Sequence, residues 1–299
     1  MKNGELEIFS MESGRIFLVS FLLSIVRLMN FTLSIFGIYL LVVFLNVSHI
    51  AGTVILIITG LILTYLFIRS IIRDSLNSLK RHRTMRHELS SEYEEKIYEK
   101  AKKIFPKVHI DEIVSPVEDI ASCFTINGKN VLVIGLPYYM YDGAITHELG
   151  HLYYRHPKHK GIARVLGIAS IYFLVPVLYY LNVNELIAYI IFLLSHVLVM
   201  FVISVYEFYM EIKADLFEIN HCGLECFEQV LVKEYGKDIV DLIKSGRRPK
   251  ITKLMLLRAI IHSILLGHIS PSMRLILYLL NLEKQNLKET RPENIGVKC

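Results

Sequence analysis

Four long apolar runs dominate this chain and decide what it can fold into. Residues 28–47, 51–71, 162–181 and 186–206 are almost free of charge. A helix needs about 20 such residues to cross the hydrocarbon core. The first run belongs to a longer apolar stretch from Ile16 to Leu45, broken by Arg27 and Asn30. That stretch is too long for one straight crossing and too short for two. We place the crossing from Leu28 to Val47, with the preceding part at the interface or extending the helix. A hydrophobic fraction of 53% and a mean hydropathy of +0.45 exceed those of ordinary soluble domains. Glu5, Glu7 and Glu12 precede the first run, which is longer than a signal-peptide core, so no cleavable leader is expected.

The runs pair into two hairpins. The connections, Asn46 to Gly52 and Asn182 to Glu185, contain no Lys or Arg. The basic collars all lie at the other ends. Arg69, Arg73, Lys80, Arg81, Arg83 and Arg86 follow the second run, and Arg155, Lys158, Lys160 and Arg164 border the third. The positive-inside rule then puts the collars and both termini in the cytoplasm of a multi-pass cell-membrane protein. The net charge of +5 is modest and clusters beside the spans. It points to the lipid bilayer as partner and not to nucleic acid.

The expected fold class is mainly α: a helical membrane protein of four spans with a cytoplasmic domain carrying a small β-sheet. The sequence divides into residues 1–72 (N-terminal segment and first hairpin), 73–160, 161–206 (second hairpin) and 207–299. In the second block, Glu88 to Lys103 reads as a charged helix and Val108 to Val114 as a strand. Ala121 to Ile126 and Val131 to Ile134 flank Asn127-Gly128, a β-hairpin signal. In the last block, Glu225 to Lys244 reads as one amphipathic helix. Leu254 to Leu266 is only thirteen residues long and contains Arg258 and His262, so a buried or interfacial helix is expected there.

The chemistry concentrates at His147-Glu148-Leu149-Gly150-His151. On a helix, residues four apart share a face, so both imidazoles can address one metal ion. Zinc lowers the pKa of a bound water to about 7, and Glu148 is placed to take its proton. A catalytic zinc normally has three protein ligands. We assign the third to Glu211, on the helix that leaves the fourth span, with Glu207 as its rival one turn earlier. Asp215, one turn after Glu211, would hydrogen-bond a ligand histidine and fix its tautomer. His156 and His159 read as part of the solvated basic collar, and His196 as packed against a neighbouring helix. The four cysteines, Cys123, Cys222, Cys226 and Cys299, show no paired framework and are expected to be mostly reduced. His221, Cys222 and Cys226 lack a matching pair for a metal site and read as a turn and a helix start.

Taken together, Val133-Ile-Gly-Leu-Pro137, the His147 to His151 motif, two spans, Glu211-x-x-Ala-Asp215, and His268 followed by Arg274 resemble a known family. It is the integral-membrane zinc metalloproteases of the CAAX-prenyl-protease/HtpX-like type. The resemblance covers roughly residues 121–274. It implies one Zn²⁺ per chain on His147, His151 and Glu211, with Glu148 as general base. It further implies that His268 donates a hydrogen bond to the oxyanion and that Arg274 supports the Glu211/Asp215 helix or the substrate. The family's proline after the late histidine is displaced here to Pro271. The arginine often found before the third ligand is absent, with Phe208 and Met210 as neighbours. Expected substrates are misfolded or damaged membrane proteins and unfolded polypeptides. The alternatives are a prenyl-protein processing protease, a zinc-domain receptor of the antibiotic-sensor type, and a scaffold with a structural zinc.

Overall fold

A computed structural model describes residues 35–86, 90–138, 140–235, 237–245, 252–266 and 270–289. Helices α1 (Ile35–Phe44) and α2 (His49–Thr84) form the first hairpin, and α5 (His156–Tyr180) and α6 (Glu185–His221) the second. Helices α2, α5 and α6 are each long and apolar enough to cross a membrane. They correspond to the second, third and fourth expected spans. The described part of the first, α1, is apolar and helical, while residues 28–34 lie outside the described residues.

The four helices share a core that includes Tyr39, Leu56, Tyr172, Val175 and Phe192. Their outer faces keep large aliphatic side chains exposed, Leu198 at 62% for example, as a lipid-facing surface requires. Both hairpin turns pass through an asparagine in the left-handed region, Asn46 at φ 49° and Asn182 at φ 51°. Asparagine tolerates that conformation better than most residues. Asn184 then caps α6, its side chain accepting from the Leu186 amide at 3.0 Å. The Tyr179 hydroxyl donates to the Val47 carbonyl at 2.8 Å, which ties the two turns together. His196 is buried, with Nδ1 3.3 Å from the Phe192 carbonyl and its ring against Phe192.

Beyond the apolar run, α2 continues to Thr84 and reaches a three-stranded sheet. Strands β1 (Glu112–Val114), β2 (Ala121–Ile126) and β3 (Lys129–Ile134) are ordered β1-β3-β2. β1 runs parallel to β3, and β2 antiparallel to it. The β2–β3 turn is Asn127 (φ 52°) and Gly128 (φ 78°), the two left-handed residues that a type I′ hairpin requires. β2 is therefore an edge strand. The first strand is shorter than the sequence reading: of residues 108–114, only the last three pair with β3. α3 (Ser90–Ile104) packs Ile97 and Ala101 against the sheet and against α4 (Asp142–Tyr153).

After α6 come α7 (Leu224–Tyr235), α8 (Lys237–Lys244), α9 (Lys253–Leu266) and α10 (Pro271–Glu289). α7 and α8 both fall within the amphipathic helix expected over residues 225–244, and residue 236 between them lies outside the described residues. A second difference concerns the thiols. Cys222 and Cys226 form a disulfide, where the sequence reading had them reduced. Cys222 ends α6, and Gly223 at φ 91° turns the chain so that the two Cα atoms stand 5.8 Å apart. That lies within the span a disulfide bridges.

α4 and α6 come together at Gly150. A Cβ there would sit 3.1 Å from both the Ala214 Cα and the Phe217 Cβ. Backbone cannot yield as a flexible side chain can, so the glycine sets the interhelix distance. Gly150→Val should lower stability by about 1–3 kcal/mol through overpacking. A drop in Tm together with lost metal retention is the expected readout; an unchanged Tm would show that the contact is slack.

Candidate metal centre

The motif helix α4 is buried along nearly its whole length, from Gly143 to Leu152. His147 and His151 lie one turn apart, their rings perpendicular with centroids 4.7 Å apart. α6 presents Glu211 to both. His147 Nε2 lies 3.6 Å from Glu211 Oε2, and His151 Nε2 lies 3.4 Å from Glu211 Oε1. Tetrahedral zinc with bonds of about 2.0–2.1 Å sets its ligand atoms about 3.3 Å apart. One ligand atom from each of the three residues lies within 4.8 Å of the others. This donor set fits a metal ion.

The charge balance points the same way. Three carboxylates surround His147: Asp215 Oδ1 at 2.7 Å and Glu218 Oε2 at 3.8 Å from Nδ1, and Glu211 beyond Nε2. Burial opposes a charge on this imidazole. The hydrogen bonds and charges of Asp215 and Glu211 outweigh burial and hold its pKa well above the usual histidine range. The pocket therefore carries surplus negative charge that a cation, either a proton or a metal ion, neutralises. Asp215 is fully buried beyond the apolar run of α6. Burial raises its pKa, but Arg274, with Nε 3.5 Å from Oδ2, and His147 bring it below the usual carboxylate range. It stays ionised and accepts from His147 Nδ1–H, which leaves Nε2 as the ligand atom.

His156 departs from the sequence reading. Expected in the solvated collar, it is 4% exposed, and its Nδ1 lies 2.7 Å from the Nδ1 of His151. For His151 to present Nε2 as a ligand, its Nδ1 must carry hydrogen and donate, so the His156 Nδ1 must accept. Burial, followed by the neighbouring His151, lowers the His156 pKa to about 3, which keeps it neutral and able to accept. Its Nε2 is buried with no hydrogen-bond partner among the described residues. Each ligand histidine thus has its own orienting partner: Asp215 for His147 and His156 for His151. The sequence hid this because the pair is not helically spaced. Arg155, at φ 53°, breaks the chain between α4 and α5 and folds His156 back. His159 is exposed, as the collar reading required.

Glu207, the rival third ligand, is engaged elsewhere. Arg164 donates to its Oε1 at 2.7 and 3.1 Å, and the Lys160 ammonium is 3.1 Å from Oε2. His268 lies outside the described residues.

Glu148 and the open side of the ligand set border a cavity of about 710 Å³. The edge strand β2 lines it along its length, together with Tyr138, Tyr141, the start of α5, and Ile71 and Ser75 of α2. Cys123 of β2 faces Glu148. Burial and then that carboxylate push its thiol pKa well up, and the thiol is hydrogen-bonded to Glu148. Searches against protein-family models, curated proteins and solved structures give no match for this chain.

His156→Ala should weaken metal binding about 10–100-fold, the usual cost of removing a partner that orients a ligand histidine. His159→Ala should leave it unchanged. Competition with a chelating dye measures both, and equal affinities would remove His156 from the centre.

Proposed function

We propose that this protein is an integral-membrane zinc metalloendopeptidase of the HtpX-like kind. It would have four spans, and its active centre would face the cytoplasm. Its substrates would be misfolded or damaged membrane proteins and other unfolded polypeptides. One observation carries the reading: Glu148, the open side of the His147/His151/Glu211 set and the free edge of β2 all border one cavity. A structural zinc is usually closed by four protein ligands. Here the fourth side faces a general base and a strand edge.

When bound, Zn²⁺ would supply Lewis-acid chemistry, activating water near neutral pH and polarising the scissile carbonyl. The remaining work falls to the chain. The β2 edge offers backbone groups to an extended substrate and lays it across the cavity. Glu148 accepts a proton from the attacking water as its oxygen bonds to the carbonyl carbon. It returns that proton to the amine nitrogen as the C–N bond breaks. Asp215 and His156 keep the two ligand imidazoles in the required tautomers. The oxyanion donor in this reading is His268.

Wild type and Glu148→Gln, purified in detergent, test the assignment through zinc content and casein cleavage measured together. We expect stoichiometric zinc in both and cleavage in wild type alone. Cleavage by the variant would remove Glu148 from the proton path, and absence of zinc from both after reconstitution would overturn the centre.

Orientation is tested separately. An impermeant maleimide should label Ser48→Cys in intact cells and Lys103→Cys only after permeabilisation, each in a Cys299→Ser background. In this orientation the Cys222–Cys226 bond sits in a reducing compartment, where disulfides are transient or redox-sensing. The reverse labelling would place the centre outside and make that bond an ordinary structural one.

A further inference from the structure

Helix α9 has an outer face that water does not suit. Leu254, Leu257 and Ile261 are 56%, 53% and 48% exposed and stand at helical spacing on one side, with Arg258 exposed among them. The opposite side is the packed one. Leu256, Ala259, Ile260 and Ile264 join Phe208 and Ile212 of α6 and Met273, Ile276 and Leu277 of α10 in one apolar cluster. A helix in water turns polar residues outward, whereas α9 is apolar on both sides. At 14 residues it is about 21 Å long, too short to span a hydrocarbon core of about 30 Å.

Its depth follows from α6. The apolar run of α6 ends at Tyr206. Phe208 and Ile212, which hold α9, lie about 3–9 Å further along the helix axis. The headgroup layer is about 5–7 Å thick on each side of the core, so α9 docks at that level. The same turn of α6 has other marks of an interface. Tyr209 is 51% exposed, and the Lys213 ammonium sits 4.6 Å from its ring centroid. Tyrosine favours the membrane–water boundary, and lysine reaches past it to the aqueous side. Basic residues accompany the α9 face, Lys253 at its start and Arg258 within it, where anionic headgroups would meet them.

We propose that α9 is an interfacial membrane helix, with Leu254, Leu257 and Ile261 inserted among the headgroups and upper acyl chains beside α6. The partner is the bilayer itself. α9 packs directly on α6, one of the apolar helices long enough to span, and the inference depends on those spans and not on peptide hydrolysis.

The test uses the full chain in liposomes containing anionic lipid, in a Cys299→Ser background, with nitroxide labels at Leu257→Cys and, independently, Ile261→Cys. Collision with oxygen, which concentrates in lipid, is compared with collision with an aqueous nickel chelate. Leu198→Cys marks the lipid-facing limit and Lys103→Cys the aqueous one. The oxygen-to-nickel ratio at both α9 positions should exceed that at residue 103 by at least about threefold and approach that at residue 198. A ratio equal to that at residue 103 would overturn the proposal. Labels shielded from both reagents would overturn it too, since protein and not lipid would then cover the face.

Discussion

The contact between α4 and α6 at Gly150 is the joint on which the candidate centre depends. The two histidines and the third carboxylate are separated in sequence by a complete membrane hairpin, and neither helix can assemble the set alone. The missing side chain at residue 150 lets the two backbones approach, with Ala214 and Phe217 as the opposing surface. The same approach brings Asp215 to 2.7 Å from His147. Larger residues on either helix would separate the ligands before any direct change to the ligands themselves.

Around this joint, charges are arranged in order of depth. Asp215 is wholly buried and answered by Arg274 on one oxygen and His147 on the other. Glu207, one turn nearer the membrane than Glu211, is answered by Lys160 and Arg164 from the start of α5. A carboxylate at this depth costs several kcal/mol when left unpaired. The basic collar of α5 therefore has a use of its own within the fold. It compensates the acidic turn of α6 and keeps Glu207 away from the metal ligands.

Some of this was legible in the sequence because it rests on local periodicity. Span length, the Asn-Gly turn and the His147/His151 spacing all follow from one helix or one hairpin. Glu211 and Asp215 were readable for the same reason, being one turn apart on the helix that emerges from the last apolar run. What escaped depends on departures from periodicity. His156 reaches His151 only because Arg155 takes a left-handed conformation, and nothing in a run of basic residues marks that break. Cys222 and Cys226 pair across a helix end whose geometry is set by Gly223.

The continuity of α6 carries a consequence for reach. A single helix, Glu185–His221, leads from the far side of the apolar run to the third ligand. Glu211 stands five residues past Tyr206, about 7–8 Å of helical rise. An extended chain climbs about 3.3 Å per residue. A polypeptide leaving the bilayer beside α6 would thus come level with Glu211 after only two or three residues. For the peptidase proposed above, that would bring within range stubs too short for a protease working away from the bilayer.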